Sequence, residues 1–375
     1  MDRSLKNDVT DLLGKKFVLL MGPRQVGKTT LSKSLVQSYA YYNYDIKKDF
    51  SIFKESEWDN SKSLIIFDEL HKMKKWKLWL KGIYDEGRTE NQNFLVTGSA
   101  RLDIAKKMGD SLAGRFFSVR LNPLDLKELK SVNTPEQNYK NLIQYGGFPE
   151  PFLKSNQRFY NLWSNSHSDL IVRQDLIQYE NVRDIDGIEI LVEMLKTRVG
   201  STVSFNSLAE DLQRDDKTIK KWLKILEQLY IIFRVSPYSK NISRGIKKAG
   251  KYYFYDLGKV EGDESVKLEN LVALSLKKEI EYQEDINGIP GQLFFTQLRG
   301  GKEIDFLVVQ KSRKPKLIEV KLSENSVSSS FSVFQKYFLN ADQIQLVKNL
   351  NNEYDSKSGV NIRSAIDFLT HLKFN

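Results

Sequence analysis

The run Gly22-Pro23-Arg24-Gln25-Val26-Gly27-Lys28-Thr29-Thr30 follows the apolar stretch Phe17-Val18-Leu19-Leu20-Met21 and precedes Leu31, Leu35 and Val36 at helical spacing. A strand that turns through G-x-x-x-x-G-K-T into a helix constrains the fold to an α/β sheet with that turn at the strand's C-terminal end. The backbone N–H groups of residues 24–28 would wrap phosphate oxygens at the helix N-terminus. Lys28 would reach the β- and γ-phosphates and Thr29 would hold Mg²⁺. All nine residues form the expected binding set for ATP or GTP.

Leu64-Ile65-Ile66-Phe67-Asp68-Glu69 is a second apolar strand that ends in acids, and the spacing predicts that it lies beside the P-loop strand. Asp68 would bind Mg²⁺ from its second coordination shell, and Glu69 would polarise the attacking water. Phe94-Leu95-Val96-Thr97 is a third buried strand, with Thr97-Gly98-Ser99 at its polar end. Thr97 would face the ligand crevice there, to sense the γ-phosphate or order the lytic water. In Asp110-Ser111-Leu112-Ala113-Gly114-Arg115-Phe116-Phe117, Arg115 precedes another β-rich run and is a candidate arginine finger toward a neighbouring subunit. The candidate catalytic set is therefore Lys28, Asp68, Glu69, Thr97 and Arg115.

Taken together, G-P-R-Q-V-G-K-T-T, I-I-F-D-E-L-H-K-M-K-K-W, L-V-T-G-S-A-R-L-D, D-S-L-A-G-R-F-F, L-N-P-L-D-L-K-E-L and Y-G-G-F-P-E span much of the chain. This set resembles the AAA+-related ATPases of prokaryotes, especially archaea, that carry a conserved C-terminal domain. The resemblance implies an ATPase core, a helical lid, a winged helix and a C-terminal module similar to restriction endonucleases. The choice of ATP over GTP rests on it.

With 375 residues the chain has room for two to three domains. It has no cysteine, which excludes disulfides, Cys-based zinc sites and thiol catalysis. Its first residues are charged and no stretch approaches the roughly 20 apolar residues of a membrane span, so a cytoplasmic protein without membrane contact is expected. His71, His167 and His371 lack ligand spacing and read as surface or packing residues.

Net charge is +10, and residues 201–260 hold 12 Lys or Arg against 6 Asp or Glu. Within that segment Phe205, Leu208, Ala209 and Leu212 form one short helical face. Arg214-Asp215-Asp216 makes a turn with Asp216 as the expected N-cap, and 217–229 reads as a second helix. Ile219, Trp222, Leu223, Leu226 and Leu229 would point inward, leaving Lys217, Lys220, Lys221 and Lys224 on an outer face suited to a major groove. Two β-rich runs follow, joined by a tip that carries Lys240, Arg244, Lys247 and Lys248. The segment reads as a winged helix whose partner is nucleic acid, DNA in the first instance, contacted mainly through phosphates.

In the last third, the strand containing Asp305 and the strand Lys316-Leu317-Ile318-Glu319-Val320-Lys321 match a D…E-x-K pattern. The strand period of two puts Glu319 and Lys321 on one face. Two carboxylates there could hold Mg²⁺ while Lys321 positions water, and Glu269 on the preceding helix would complete the candidate nuclease site.

The expected architecture is α/β: a P-loop AAA+-like parallel sheet over 1–130, a helical lid over 131–200, a winged helix over 201–260 and a small restriction-endonuclease-like α/β domain over 261–375. Arg173 in the lid is a candidate nucleotide-sensing cation. The expected activity is ATP hydrolysis coupled to DNA binding, with DNA cleavage as an extension. A non-cleaving ATP-dependent DNA-binding switch and a signalling or chaperone-like ATPase with protein partners are the alternatives. Arg115 further implies self-association.

Overall fold

The computed structural model describes residues 1, 3–88, 92–98, 112, 114–171, 176, 184–239, 249–298, 301–323 and 326–374. They divide into two compact units, Met1–Asn122 with Gln228–Tyr230, and Pro123–Glu227 with Ile231–Asn375.

In the first unit, β1 (Phe17–Met21), β2 (Tyr39–Asn43), β3 (Leu64–Asp68), β4 (Asn93–Gly98) and β5 (Phe116–Arg120) form a parallel sheet in the order β2-β3-β4-β1-β5. β1 and β3 are buried along their whole length, as unbroken apolar strands must be when helices cover both faces. One face carries Phe17, Leu19, Ile65, Phe67, Phe94 and Val96 against Trp58, Trp76, Leu80 and Ile83. The last three residues come from the helix Trp76–Asp85. The aromatic rings of this face interlock, with Phe67 5.1 Å from Trp79 and Trp58 5.4 Å from Phe94 between centroids.

The position of β3 differs from expectation, because β4 lies between it and the P-loop strand. β1, β3 and β4 are all short apolar strands, so their sequences do not rank them within the sheet. The register aligns Thr97 with Leu20 on one side and with Asp68 on the other.

The second unit begins with the helices Pro135–Tyr145, Pro149–Lys154, Gln157–Asp169 and Ile185–Lys196. Gly146-Gly147-Phe148 separates the first two. Arg173 lies outside the described residues. Ser204 caps the helix Phe205–Asp211, and four residues separate it from the helix Asp216–Gln228. The cap of this second helix is Asp215 and not Asp216, for the Asp215 carboxylate accepts Thr218 N–H at 2.9 Å and the Thr218 hydroxyl at 2.6 Å. Asp216 already has helical backbone and instead pairs with Lys220 at 2.6 Å. Ile219, Trp222, Leu223, Ile225 and Leu226 are buried, while Lys217, Lys220, Lys221 and Lys224 are exposed.

The remaining strands are β6 (Thr202–Val203), β7 (Ile232–Pro237), β8 (Gly250–Phe254), β9 (Gly291–Gln297), β10 (Glu303–Gln310), β11 (Lys316–Ser323), β12 (Asp342–Asn349), β13 (Tyr354–Asp355) and β14 (Asn361–Ser364). They join in one mixed sheet, β13-β14-β12-β11-β10-β9-β7-β8-β6. The hairpin of the basic segment is thus continuous with the strands of the last third, through the parallel pairs Ser236–Phe294 and Pro237–Phe295. Lys240, Arg244, Lys247 and Lys248 at the expected wing tip lie outside the described residues.

The helix Glu264–Asn287 packs on this sheet with Leu268, Leu271, Val272 and Leu276 buried. Asp263 caps its start and Gly288, with φ 68°, ends it. Fully buried Asn270 donates to the Phe254 carbonyl at 2.9 Å and accepts the Phe254 N–H at 2.8 Å, doing for β8 what a neighbouring strand would do. Asn270→Ala leaves both backbone groups unpaired, and the expected cost is about 2–4 kcal/mol in denaturant unfolding of this unit. A change below about 0.5 kcal/mol, the size of an ordinary surface substitution, would contradict the assignment.

Candidate functional site

The P-loop leaves β1 through Gly22, whose φ is 151° and whose backbone passes so close to Leu121 that a Cβ would stand 2.2 Å from the Leu121 carbonyl oxygen. Gln25 and Gly27 take left-handed backbone, with φ 59° and 96°, and the helix Lys28–Ser34 begins directly after them. Buried Lys28 donates from Nζ to the carbonyls of Gly22 at 3.0 Å and Pro23 at 2.6 Å, so its ammonium sits inside the loop. Arg3, absent from the sequence reading, holds the loop from behind. Its guanidinium donates to the Val26 and Asn122 carbonyls, each at 2.6 Å. Nothing in a lone N-terminal arginine signals that role.

Asp68 at the end of β3 gathers the polar groups around it. Its Oδ2 accepts from the Thr29 hydroxyl at 3.0 Å and from the Tyr41 hydroxyl at 2.6 Å. Its Oδ1 accepts from the Thr97 hydroxyl and from the Glu69 N–H. The acid therefore reaches the P-loop threonine even though β4 intervenes, and Thr97 fills the intervening position. Tyr41, on β2, is another participant that the sequence did not flag.

Glu69 adopts left-handed backbone with φ 54° and turns its carboxylate to His71 Nε2 at 3.4 Å and Lys72 Nζ at 3.8 Å. Burial pushes the Glu69 carboxyl above the usual carboxylate range. Lys72, Lys28 and Arg24 pull against that shift, while Asp68 adds to it. Burial also lowers His71 to about 4, which keeps its ring neutral near pH 7. His71 is thus a largely buried packing residue, as expected, with Glu69 as its neighbour. The legible trace of it is Gly98, where a Cβ would lie 3.0 Å from His71 Nδ1.

Arg115 pairs with Asp85 at 3.0 Å and lies 5.6 Å from the Tyr84 ring centroid. It precedes Phe116, which aligns with Phe17 at the start of β1, so Arg115 is at the sheet end opposite Gly22. Ser99, Asp110, Ser111 and Ala113 lie outside the described residues.

A glycine-shaped loop, an ammonium within it and a hydroxyl–carboxylate pair beside it suit a triphosphate with a divalent cation. Thr29 and Asp68 are the groups that would hold the cation.

In the second unit, antiparallel pairing of Phe306 with Ile318 brings Asp305 alongside Glu319, and Asp305 Oδ2 accepts the Val320 N–H at 2.8 Å. Lys321 Nζ donates to Glu319 Oε1 at 2.8 Å. Glu269, from the long helix, accepts the Tyr253 hydroxyl at 2.7 Å and faces Lys251 Nζ at 3.4 Å. Lys251 also meets Glu303 Oε1 at 2.5 Å. Burial, then Glu319 and Glu269, push the Asp305 carboxyl well above its ordinary range, which favours its neutral form. Burial lowers Lys251, but Glu269, Asp305 and Glu303 outweigh it and leave the ammonium above its ordinary value. Among the described residues, no group of three His, Cys, Asp or Glu side chains is arranged to hold a metal ion. The four residues of the candidate nuclease site come together, but as an ion-paired cluster.

Three family models match the chain in succession. An AAA domain covers 14–130, a domain of unknown function (DUF8612) covers 136–260, and another (DUF4143) covers 267–365. With the strand order above, the chain is an α/β protein that carries an AAA-type P-loop domain, a nucleotide-binding fold.

An uncharacterized protein of Methanocaldococcus jannaschii is 23% identical over 368 residues, covering 87% of this chain and 79% of that protein. One of Mycobacterium tuberculosis is 25% identical over 324 residues, covering 84% and 72%. Among solved structures, the Aeropyrum pernix ORC1 protein in complex with DNA aligns over 73% of this chain and 93% of its own, with TM-score 0.35 and 10% identity. A signal transduction ATPase with a tetratricopeptide repeat sensor from Pyrococcus horikoshii aligns over 75% and 46%, with TM-score 0.25 and 15% identity. Neither of these two likenesses bears on the function of this chain. No helix among the described residues is long and apolar enough to cross a membrane.

Proposed function

We propose that the first unit binds and hydrolyses ATP and that the basic helix of the second unit contacts nucleic acid, DNA in the first instance. The observation that carries the ATPase reading is Asp68, which joins Thr29 of the P-loop to Thr97 and Glu69 in one hydrogen-bonded set. Mg²⁺, held by Thr29 and Asp68, would neutralise charge on the phosphate oxygens. Lys28 binds the β- and γ-phosphates. Glu69 accepts the proton of the attacking water, and its raised proton affinity brings it closer to neutral pH than an exposed carboxylate. Neutral His71 orients that carboxylate without cancelling its charge. Thr97 fixes Asp68 and lines the crevice. Arg115 would serve only a neighbouring chain's nucleotide, after leaving Asp85.

The nucleic-acid reading rests on the four exposed lysines of the helix Asp216–Gln228, read here as the recognition helix of a winged helix. Lysines neutralise phosphates and release counterions, so affinity should fall steeply with salt. Replacing Lys217, Lys220, Lys221 and Lys224 with Ala should reduce the log–log salt slope by about 0.9 for each phosphate of duplex DNA that is no longer neutralised. Unchanged affinity and slope would make these lysines a solvated face only. Cleavage of bound DNA through Glu269, Asp305, Glu319 and Lys321 is the alternative to a non-cleaving ATP-dependent switch, and the ion pairs within that cluster support the switch.

A further inference from the structure

We propose that the Lys251 ammonium is the resident cation of the carboxylate cluster in the second unit, so that the cluster takes no divalent metal and cleaves no phosphodiester. The inference rests on the winged-helix and nuclease-like reading of the second unit and addresses the charge state of the same cluster.

Lys251 lies on β8, with β7 and β9 between it and β10 in the sheet order, yet its Nζ meets Glu303 at the start of β10. It does so at a β7–β9 junction only two residue pairs long. The side chain is 4% exposed, and Nζ faces Glu303 at 2.5 Å and Glu269 at 3.4 Å, with the Phe295 ring centroid 5.5 Å away. A buried ammonium with two carboxylates at these distances supplies the compensation that a metal ion would otherwise provide. Mg²⁺ requires near-octahedral oxygen ligation with several oxygens free to converge. Here Glu269 Oε1 is taken up by Tyr253 and Lys251, Glu319 Oε1 by Lys321, and Asp305 Oδ2 by the Val320 N–H, so each carboxylate already has one oxygen committed to a donor. Among the described residues Glu319 Oε2 is the cluster's fully buried oxygen without a hydrogen-bond donor, and no group of three His, Cys, Asp or Glu side chains converges there to hold a metal ion. The same ion pairs join the hairpin strand β8 to the acidic face of β10 and the long helix, which gives Lys251 a structural task.

Mn²⁺ titration followed by electron paramagnetic resonance, without nucleotide, tests this on the full chain. The wild type is expected to show no Mn²⁺ binding that Glu319→Gln removes. Lys251→Met, which leaves Glu269 and Glu303 uncompensated, is expected to bind Mn²⁺ at least tenfold more tightly than the wild type and to melt at higher temperature when Mn²⁺ is present. Wild-type Mn²⁺ binding that Glu319→Gln abolishes overturns the proposal, as does a folded Lys251→Met that binds Mn²⁺ no better than the wild type. If Lys251→Met does not fold, the wild-type and Glu319→Gln titrations still decide. DNA incubated with wild type and Mn²⁺ should stay intact, and cleavage abolished by Asp305→Ala would overturn the proposal while upholding the nuclease reading. DNA binding measured in the same tubes reports separately on the winged-helix reading, since its loss leaves the metal titration unaffected.

Discussion

Glu69→Gln is expected to bind ATP as tightly as the wild type and to release phosphate about 100- to 10,000-fold more slowly. The amide keeps the shape of the side chain and can still meet His71, 3.4 Å away in the wild type. Only the capacity to accept a proton from water is lost. Because burial raises the Glu69 carboxyl, wild-type turnover should rise with pH across a limb that lies above the usual carboxylate range. The sign follows from the base being active only when deprotonated. His71, lowered to about 4, stays neutral through that limb and adds no titration of its own. Phosphate release measured against pH checks both points, and a variant that hydrolyses at the wild-type rate would remove Glu69 from the mechanism.

Asp68→Ala is expected to lose hydrolysis altogether and to destabilise the first unit by about 3–5 kcal/mol, from stranding several hydrogen-bond donors at about 1–3 kcal/mol each. Thr29, Tyr41, Thr97 and the Glu69 N–H all converge on this carboxylate, and Thr97 is only 1% exposed. Asp68→Asn separates the two effects. It preserves most of the packing, yet its amide nitrogen cannot accept a hydroxyl proton or help hold Mg²⁺. Urea unfolding of both variants, alongside phosphate release, should show Asp68→Asn far more stable than Asp68→Ala and equally inactive. Wild-type turnover by Asp68→Asn would contradict the placement of the cation.

The parts of this site that are legible in the sequence are the local ones. A G-x-x-x-x-G-K-T turn dictates its own strand, helix and phosphate cradle, and Asp68 and Glu69 follow an apolar run too regular to be a loop. Strand order is not legible, because β1, β3 and β4 are interchangeable in hydrophobicity and only tertiary packing places β4 in the middle. Arg3 and Tyr41 act through isolated long-range hydrogen bonds that leave no periodic trace. In the second unit the helix faces follow from their 3.6-residue period. The sequence places the capping aspartate one residue late, since Asp215 and Asp216 are chemically alike and only backbone geometry distinguishes them. The strands of the last third are evident, but their union with the β7–β8 hairpin depends on two residue pairs distant in sequence. In the sequence, therefore, Lys251 is one more basic residue of the hairpin, and nothing there marks it as the partner of Glu303 and Glu269.

Whether the P-loop of this chain binds and turns over ATP is decided by calorimetric titration of Mg·ATP into the wild type and Lys28→Ala, with phosphate release followed on the same preparations. Lys28 places its ammonium inside the loop, donating to Gly22 and Pro23, so its removal takes away both the charge that meets the phosphates and two bonds that shape their cradle. Loss of charge-assisted bonds worth about 1.5–3 kcal/mol predicts affinity lower by about 10- to 150-fold, with phosphate release at background. Equal ATP binding and equal phosphate release by the two proteins would contradict an ATPase site at this loop.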